Sequence, residues 1–148
     1  MTSRILFIAA VLFALILALR FLNNKEQSPD IKKMIINNKE LKVKIADSDE
    51  ERQKGLANIE KLESYDGMLF IFEEKERVSF WNKNTLLDLD LVWISGGRVV
   101  GVDFLPNNSL GQKVISSLED VDMVLEIPTG QARELGIKKG ASVSINPQ

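Results

Sequence analysis

Apolar and polar residues alternate along much of the chain beyond residue 30, and a period of two is typical of half-buried β-strands. Leu41, Val43 and Ile45 alternate with two lysines, and a polar segment at residues 37–39 separates them from an apolar run at residues 34–36. This arrangement predicts a β-hairpin. Six further runs predict additional strands: residues 67–72, 78–81, 87–94, 98–105, 121–127 and 141–145.

Two short helices are predicted between these strands. Ser48 with Glu51 three residues later forms a capping-box pattern, which predicts a helix that ends near Gly55. Thr129 is predicted to cap a second helix over residues 131–135, with Gly136 as its terminating residue. Many short strands with two short helices predict a mainly β fold, an antiparallel barrel or sandwich-like single domain.

The N-terminal segment has a different pattern. Residues 5–22 are apolar except for Arg20, and a helix needs about 20 apolar residues to span a bilayer, with a lower limit of roughly 17. No small-x-small cleavage site follows, so residues 1–22 are predicted to be an uncleaved single-pass membrane anchor; cleavage would give a secreted domain. The polar residues 23–30 predict a short tether, and residues 31–148 a single domain. Charge alone leaves the membrane orientation open.

A two-residue Gly-Gly turn is predicted at Gly96 and Gly97, because both central residues of such a turn take positive φ. The predicted pairs are Ile94 with Val99, Trp93 with Val100, Leu91 with Val102, and Asp90 with Asp103. The core face would then carry Leu89, Leu91, Trp93, Val100, Val102 and Phe104, and the other face Asp88, Asp90 and Asp103.

Directly opposed carboxylates are destabilising, so the predicted pairing of Asp90 with Asp103 needs something to offset it. Three explanations remain open. Water and salt screen the carboxylates on a solvated strand face, a lysine or arginine pairs with them, or they form a functional site. In the last case Asp90 and Asp103 are the candidate metal ligands. A one-residue bulge in the hairpin would abolish the pairing.

The segment Phe80-Trp81-Asn82-Lys83-Asn84-Thr85 places two aromatic residues before four hydrogen-bonding side chains at a predicted strand end. Period two puts the two aromatic rings on opposite faces, so at least one can escape the core. An exposed aromatic ring beside amide and ammonium groups is typical of sugar-binding sites. The alternative is a turn built by the Asn and Thr side chains.

The amino-acid composition excludes several classes of catalytic and metal site. The 148 residues include no cysteine and no histidine, which excludes a thiol nucleophile, a disulfide framework, a Ser-His-Asp triad and the usual zinc sites. Residues 23–148 hold 17 basic and 21 acidic residues, a net charge of −4, which argues against nucleic acid as a partner. No phosphate-binding loop is present, and no cofactor is expected.

The chain resembles the domain of unknown function 192 family, small prokaryotic proteins that are often exported. The resemblance covers residues 41–145 and is carried by residues 51–56, 67–72, 80–85, 89–90, 97–100, 124–126 and 135–140. Asn82 replaces the usual Met, Asp88 the usual Pro, and residues 105–110 the usual loop after the hairpin. Asp103 is not part of the motif. The resemblance implies a compact β fold with short helices and no established activity, and it favours an extracytoplasmic domain.

These patterns predict a non-catalytic binding module that is tethered to the membrane through residues 5–22. Its ligand would be a cell-envelope glycan or protein. The candidate ligand-binding residues are Trp81, Lys83, Asn84 and Asp90, with Arg52 as a neighbour if the first helix packs over the strand end. The alternative is a hydrolase of an envelope polymer that uses Asp90 and a second acid, since such acid pairs lie about 5–10 Å apart.

Overall fold

The computed structural model describes residues 30–145, together with Phe13 and Leu15. Nine strands and two short α-helices are formed within residues 30–145. The strands are β1 (Ile31–Ile36), β2 (Lys39–Ala46), β3 (Gly67–Glu76), β4 (Ser79–Trp81), β5 (Leu89–Ser95), β6 (Arg98–Leu105), β7 (Val114–Ser116), β8 (Val121–Pro128) and β9 (Val143–Ile145). The helices are α1 (Asp49–Lys54) and α2 (Gln131–Glu134), with a 3-10 turn at Asn108–Leu110.

The predicted membrane anchor and tether fall almost entirely outside the described residues. Of the anchor at 1–22 only Phe13 and Leu15 are described, and of the tether at 23–30 only Asp30. Among the residues that are described, no helix is long and apolar enough to cross a membrane.

Seven strands form one curled sheet in the order β6-β5-β8-β3-β2-β1-β9, and β4 pairs with β7 in a separate ribbon. The sheet curls into a half-barrel, and its two edges therefore approach each other. The Val99 amide donates to the Ala141 carbonyl at 2.9 Å, and the Val143 amide donates to the Gly97 carbonyl at 2.8 Å. The prediction of a mainly β fold with two short helices is confirmed.

The sheet is not wholly antiparallel, because β2 and β3 pair in parallel. Parallel neighbours need a crossover connection, and here it runs through α1 and residues 55–66. The β7 strand was not predicted. It pairs with β4 through Phe80 opposite Ile115 and Trp81 opposite Val114.

Apolar side chains on both faces of the central strands form two core clusters. One face carries Leu69, Val92 and Leu125, which pack in a cluster that includes Ala132 of α2. The other face carries a cluster composed of Ala46, Leu56, Met68, Phe70, Val78, Leu89, Leu91, Trp93, Leu105, Val121 and Val124. Strands β3, β5 and β8 are thus covered on both sides, which explains their continuous apolar runs.

The first hairpin and the first helix form as the turn and capping residues of the sequence predict. Asn37 and Asn38 have φ of 49° and 61°, and two successive positive φ angles form a type I′ turn. Ser48 caps α1: its side chain accepts from the Glu51 amide, and the Glu51 carboxylate accepts from the Ser48 amide.

The predicted register of the β5–β6 hairpin is wrong beyond its first pairs. Ile94 pairs with Val99 as predicted, but the register then shifts by one residue. The observed pairs are Trp93 with Gly101, Leu91 with Asp103, and Asp90 with Phe104. Asp90 and Asp103 therefore lie on opposite faces of the sheet, and the predicted carboxylate pair does not form.

A bulge at Val100 and the bulk of Trp93 explain the shift. A Cβ at Gly101 would lie 3.2 Å from Cδ1 of the Trp93 ring, so this position suits a residue without a side chain. The indole Nε1 of Trp93 donates to Asp103 Oδ2 at 2.6 Å, which gives that carboxyl a hydrogen-bond partner. Val102 and Phe104 were predicted in the core, but they are 37% and 52% exposed.

Replacing Gly97 with valine is expected to lower the free energy of unfolding by roughly 1–2 kcal/mol. Gly97 has a φ of +73°, which residues with a Cβ rarely adopt, and a Cβ there would lie 3.3 Å from the Val143 carbonyl oxygen. Urea unfolding of the full-length protein measures the change. Ser144→Val, on an exposed position of β9, is the matched control and should stay within about 0.5 kcal/mol of wild type. Equal unfolding midpoints for the two variants would contradict the turn.

Candidate functional site

A groove of about 380 Å³ opens between α1 and β4. We call it the α1–β4 groove. Its lining includes Asp49, Arg52, Phe72, Arg77, Phe80 and Trp81. A smaller cavity of about 30 Å³ adjoins it; both cavities share Arg52, Phe80 and Trp81, and the smaller one is also lined by Gly55, Lys83, Thr85 and Glu126.

The two aromatic rings of β4 face opposite ways, as the period-two pattern predicts. The Phe80 ring packs edge-to-face on Phe70, with ring centroids 4.8 Å apart, and on Trp93, at 5.8 Å. Trp81 points outward and is 47% exposed. The Lys83 ammonium lies 4.9 Å from the centroid of the Trp81 ring, which is within the range of a cation–π contact.

Arg52 lies in the groove, as expected if α1 packs near the strand end. Its guanidinium donates to the carbonyls of Asp47 at 2.5 Å and Ile71 at 2.8 Å, and to the Asp49 carboxylate at 2.6 Å. It also lies 5.6 Å from the centre of the Phe72 ring. These contacts hold α1 against β3, so Arg52 shapes the wall of the groove and uses several of its donors to do so.

The residues that follow Trp81 form a turn. The buried Asn82 donates to the carbonyls of Asn107 and Gly111, both at 3.1 Å, and its Oδ1 accepts from the Lys113 amide at 2.7 Å. Asn84 has a φ of 57°, and its carbonyl accepts from the Asn58 amide. The Asn82 side chain thus ties the turn to the following loop, whereas Asn84 contributes a left-handed backbone conformation and its carbonyl oxygen.

Asp90 lies away from the other candidate residues. Its carboxyl accepts from Thr129 Oγ1 at 3.0 Å and from the amides of Gly130 at 2.9 Å and Ala132 at 3.1 Å. The prediction that Thr129 caps α2 is therefore wrong, because Gly130 occupies the N-cap position without a side-chain cap. The Asp90 carboxyl instead accepts hydrogen bonds from the amides at the start of the helix. Gly136 follows the helix with a φ of 65°, as predicted.

Sequence reasoning missed Glu126 as a site residue. It lies on β8 between Met68 of β3 and Leu91 of β5, and it is only 4% exposed. Its Oε2 makes no hydrogen bond with any described residue. Burial raises the pKa of Glu126 to about 8, so the carboxyl is mainly neutral at pH 7. The available signal was a carboxylate between Leu125 and Ile127 in an apolar strand, because a buried polar residue is the informative exception in a core.

Within residues 30–145, no group of three or more acidic side chains is placed to hold a metal ion. The candidate ligands Asp90 and Asp103 are separated by the sheet. The groove offers the exposed indole of Trp81, the cations Arg52 and Arg77, and the carboxylates of Asp49 and Glu76. The adjoining smaller cavity adds Lys83 and the buried carboxyl of Glu126.

Comparison with known proteins identifies the family. The family model DUF192, described as Uncharacterized ACR, matches residues 32–145. The chain belongs to the domain of unknown function 192 family. A search of curated proteins gave no match for this member of the family.

Two solved structures resemble this family member. One is from Sinorhizobium meliloti 1021 and is described as a "putative transcription regulator"; it is 28% identical, has a TM-score of 0.71, and the match covers 80% of this chain and 95% of the other. The second is a protein of unknown function from Novosphingobium aromaticivorans DSM 12444. It is 25% identical with a TM-score of 0.69, and the match covers 77% of this chain and 84% of the other.

Proposed function

We propose that this protein is a non-catalytic binding module, tethered to the membrane, whose α1–β4 groove recognises a saccharide of the cell envelope. The observation that carries the proposal is Trp81, whose half-exposed ring lines the groove with the Lys83 ammonium over one of its faces. An indole exposed at a groove is available for stacking, since its body is apolar and its rim polar.

The dimensions and chemistry of the groove suit a sugar. A volume of about 380 Å³ falls within the usual range for small-ligand sites. Stacking on Trp81 would bury the apolar face of a sugar ring, and the Lys83 ammonium would donate to its hydroxyl or acidic groups. Arg77, which also lines the groove, adds a further cation.

The proposed location rests on the sequence. Residues 5–22 reach the lower limit of length for a single-pass anchor. The resemblance to a family whose members are often exported favours a domain on the outer side of the membrane. The regulator name belongs to the Sinorhizobium protein. The net charge of −4 over residues 23–148 disfavours a nucleic-acid ligand for this chain.

Paired-acid hydrolysis is the weaker alternative on this geometry. The hypothesis required a second carboxylate close to Asp90, and the candidate Asp103 lies on the other face of the sheet. The Asp90 carboxyl is also occupied by three donors near the start of α2.

Removing the indole tests the proposal. Full-length protein in mild detergent is titrated with tetrasaccharides of N-acetylglucosamine, glucose and galacturonic acid, and binding is followed by intrinsic fluorescence and calorimetry. Trp81→Ala is expected to weaken binding of the recognised tetrasaccharide about tenfold or more, since stacking and hot-spot contacts contribute at least about 1.4 kcal/mol. Lys83→Ala should weaken it by a smaller factor.

The controls use similar residues outside the groove. Leu118→Ala removes an apolar side chain that is 81% exposed, and Lys42→Ala removes an exposed lysine of β2; both should bind as wild type. Unchanged affinity in Trp81→Ala would contradict the groove as the site. Failure of the wild-type protein to bind any of the three tetrasaccharides would contradict a saccharide ligand and favour a protein partner.

A further inference from the structure

The buried carboxyl of Glu126 borders the smaller cavity beside the groove. Its Oε2 is unpartnered among the described residues, and the side chain is almost fully buried. The same cavity is lined by Trp81 and Lys83, the residues that carry the proposed function. A buried polar atom without a hydrogen-bond partner is destabilising, so a group that supplies a partner is bound favourably there.

Gly55 has no side chain beside this carboxyl, and both residues line the smaller cavity. A Cβ on Gly55 would lie 3.8 Å from Glu126 Oε2 and 3.4 Å from Phe70 Cζ. A methyl group at this position would therefore lie in van der Waals contact with the carboxyl oxygen and take up part of the cavity. The cavity of about 30 Å³ exceeds the roughly 10–15 Å³ that one water-sized group requires.

The positive charges around the smaller cavity determine which chemical group can bind to the Glu126 carboxyl. Arg52 and Lys54 of α1 and Lys83 of the turn after β4 line the same cavity, so an ammonium group would be repelled. A hydroxyl group both donates and accepts, which matches a protonated carboxyl with one donor and free acceptor positions. The Thr85 side chain also lines the cavity.

We propose that Glu126, beneath Gly55, is a subsite that takes one hydroxyl group of the saccharide stacked on Trp81. The subsite rests on the proposed function for the identity of its ligand. In the free protein a water molecule takes the place of that hydroxyl, because a water bridges polar groups nearly as well as a direct hydrogen bond. The raised pKa of Glu126 agrees with this assignment, since a neutral carboxyl keeps its donor at pH 7.

Two variants of Glu126 test the hydrogen bond. Glu126→Leu removes it and is expected to weaken binding of the recognised tetrasaccharide about tenfold, whereas Glu126→Gln keeps a donor and an acceptor and should stay within about threefold of wild type. A crystal structure of the free full-length protein at pH 6 should show water within hydrogen-bond distance of Glu126 Oε2.

Glycine variants test the space in front of the carboxyl. Gly55→Ala is expected to weaken binding about tenfold, because its methyl group would occupy the cavity. Gly140→Ala is the matched control: Gly140 also has a positive φ, of +92°, but a Cβ there meets nothing within 4 Å. It should bind as wild type, although it too replaces a glycine that has a positive φ.

The outcomes separate the subsite from the proposed function. Weak binding by Trp81→Ala with wild-type affinity in Glu126→Leu would overturn the subsite and leave the groove proposal standing. A free structure without water at Glu126 Oε2 would also overturn the subsite. No saccharide binding by the wild-type protein would overturn the proposed function and, with it, the hydroxyl ligand.

Discussion

Replacing Asp90 with alanine is expected to lower the free energy of unfolding by about 3 kcal/mol. The change leaves buried donors without an acceptor, and each unpaired donor costs about 1–3 kcal/mol. The Asp90 carboxyl receives the amides of Gly130 and Ala132 and the hydroxyl of Thr129. These contacts join β5 to the start of α2, and α2 supplies Ala132 to a core cluster. Urea unfolding of the full-length protein at pH 7 measures the loss.

Two comparisons make this result specific. Asp90→Asn keeps one side-chain oxygen as an acceptor, so its loss should be smaller than that of Asp90→Ala. Lys42→Ala, on an exposed position of β2, should change the free energy of unfolding by no more than about 0.5 kcal/mol. An Asp90→Ala variant as stable as Lys42→Ala would contradict the structural role. Because Asp90 lies outside the groove, saccharide affinity should be unchanged in any folded Asp90 variant.

Features that depend on neighbouring residues were predictable from the sequence. The Asn37-Asn38 turn needs two residues that tolerate positive φ, and asparagine does so better than most residues. The Ser48–Glu51 capping box satisfies amides within one helical turn. Trp81 and Lys83 are two residues apart at a strand end, so their contact also follows from local spacing.

Features that depend on distant contacts were predicted less well. The Gly96-Gly97 turn is correct, but the bulge that follows it depends on how the Trp93 ring packs across the hairpin. Gly101 was the available signal, since a glycine inside a strand often marks a bulge. The parallel pairing of β2 with β3 has no local signal, because it depends on where the crossover through α1 returns the chain.

In the candidate site, too, the residues that depend on distant contacts were predicted less well than those that depend on neighbouring residues. Asp90 was predicted to join Trp81 in one ligand-binding site, but its carboxyl accepts hydrogen bonds from the start of α2 instead. Glu126 is far from Trp81 along the chain, and only the fold brings the two to one cavity. Its position in an apolar strand could have marked it as a buried carboxyl before the structure was known.

Glu126→Gln is expected to become more stable relative to wild type as the pH rises from about 4.5 to about 8. In the unfolded chain the carboxyl ionises near its ordinary pKa of 4.5, whereas burial in the folded protein raises the pKa to about 8. Between these values the unfolded state releases a proton that the folded state keeps. Wild-type stability therefore falls by up to about 1.4 kcal/mol per pH unit, and glutamine removes this loss.

Urea unfolding of both proteins at pH 4.5, 6, 7 and 8 measures the difference, in which the titration of all other groups cancels. A constant offset is expected from the amide that glutamine buries, so the test is the slope of the difference with pH. Glu119→Gln is the control: the hydrogen bond from Lys139 lowers the pKa of Glu119 below 4.5, so this carboxyl is ionised in both states from pH 6 to 8 and the difference from wild type should stay flat there. A Glu126→Gln difference that stays flat from pH 4.5 to 8 would show that Glu126 ionises normally, and its carboxyl would then be open to bulk solvent rather than enclosed beneath Gly55.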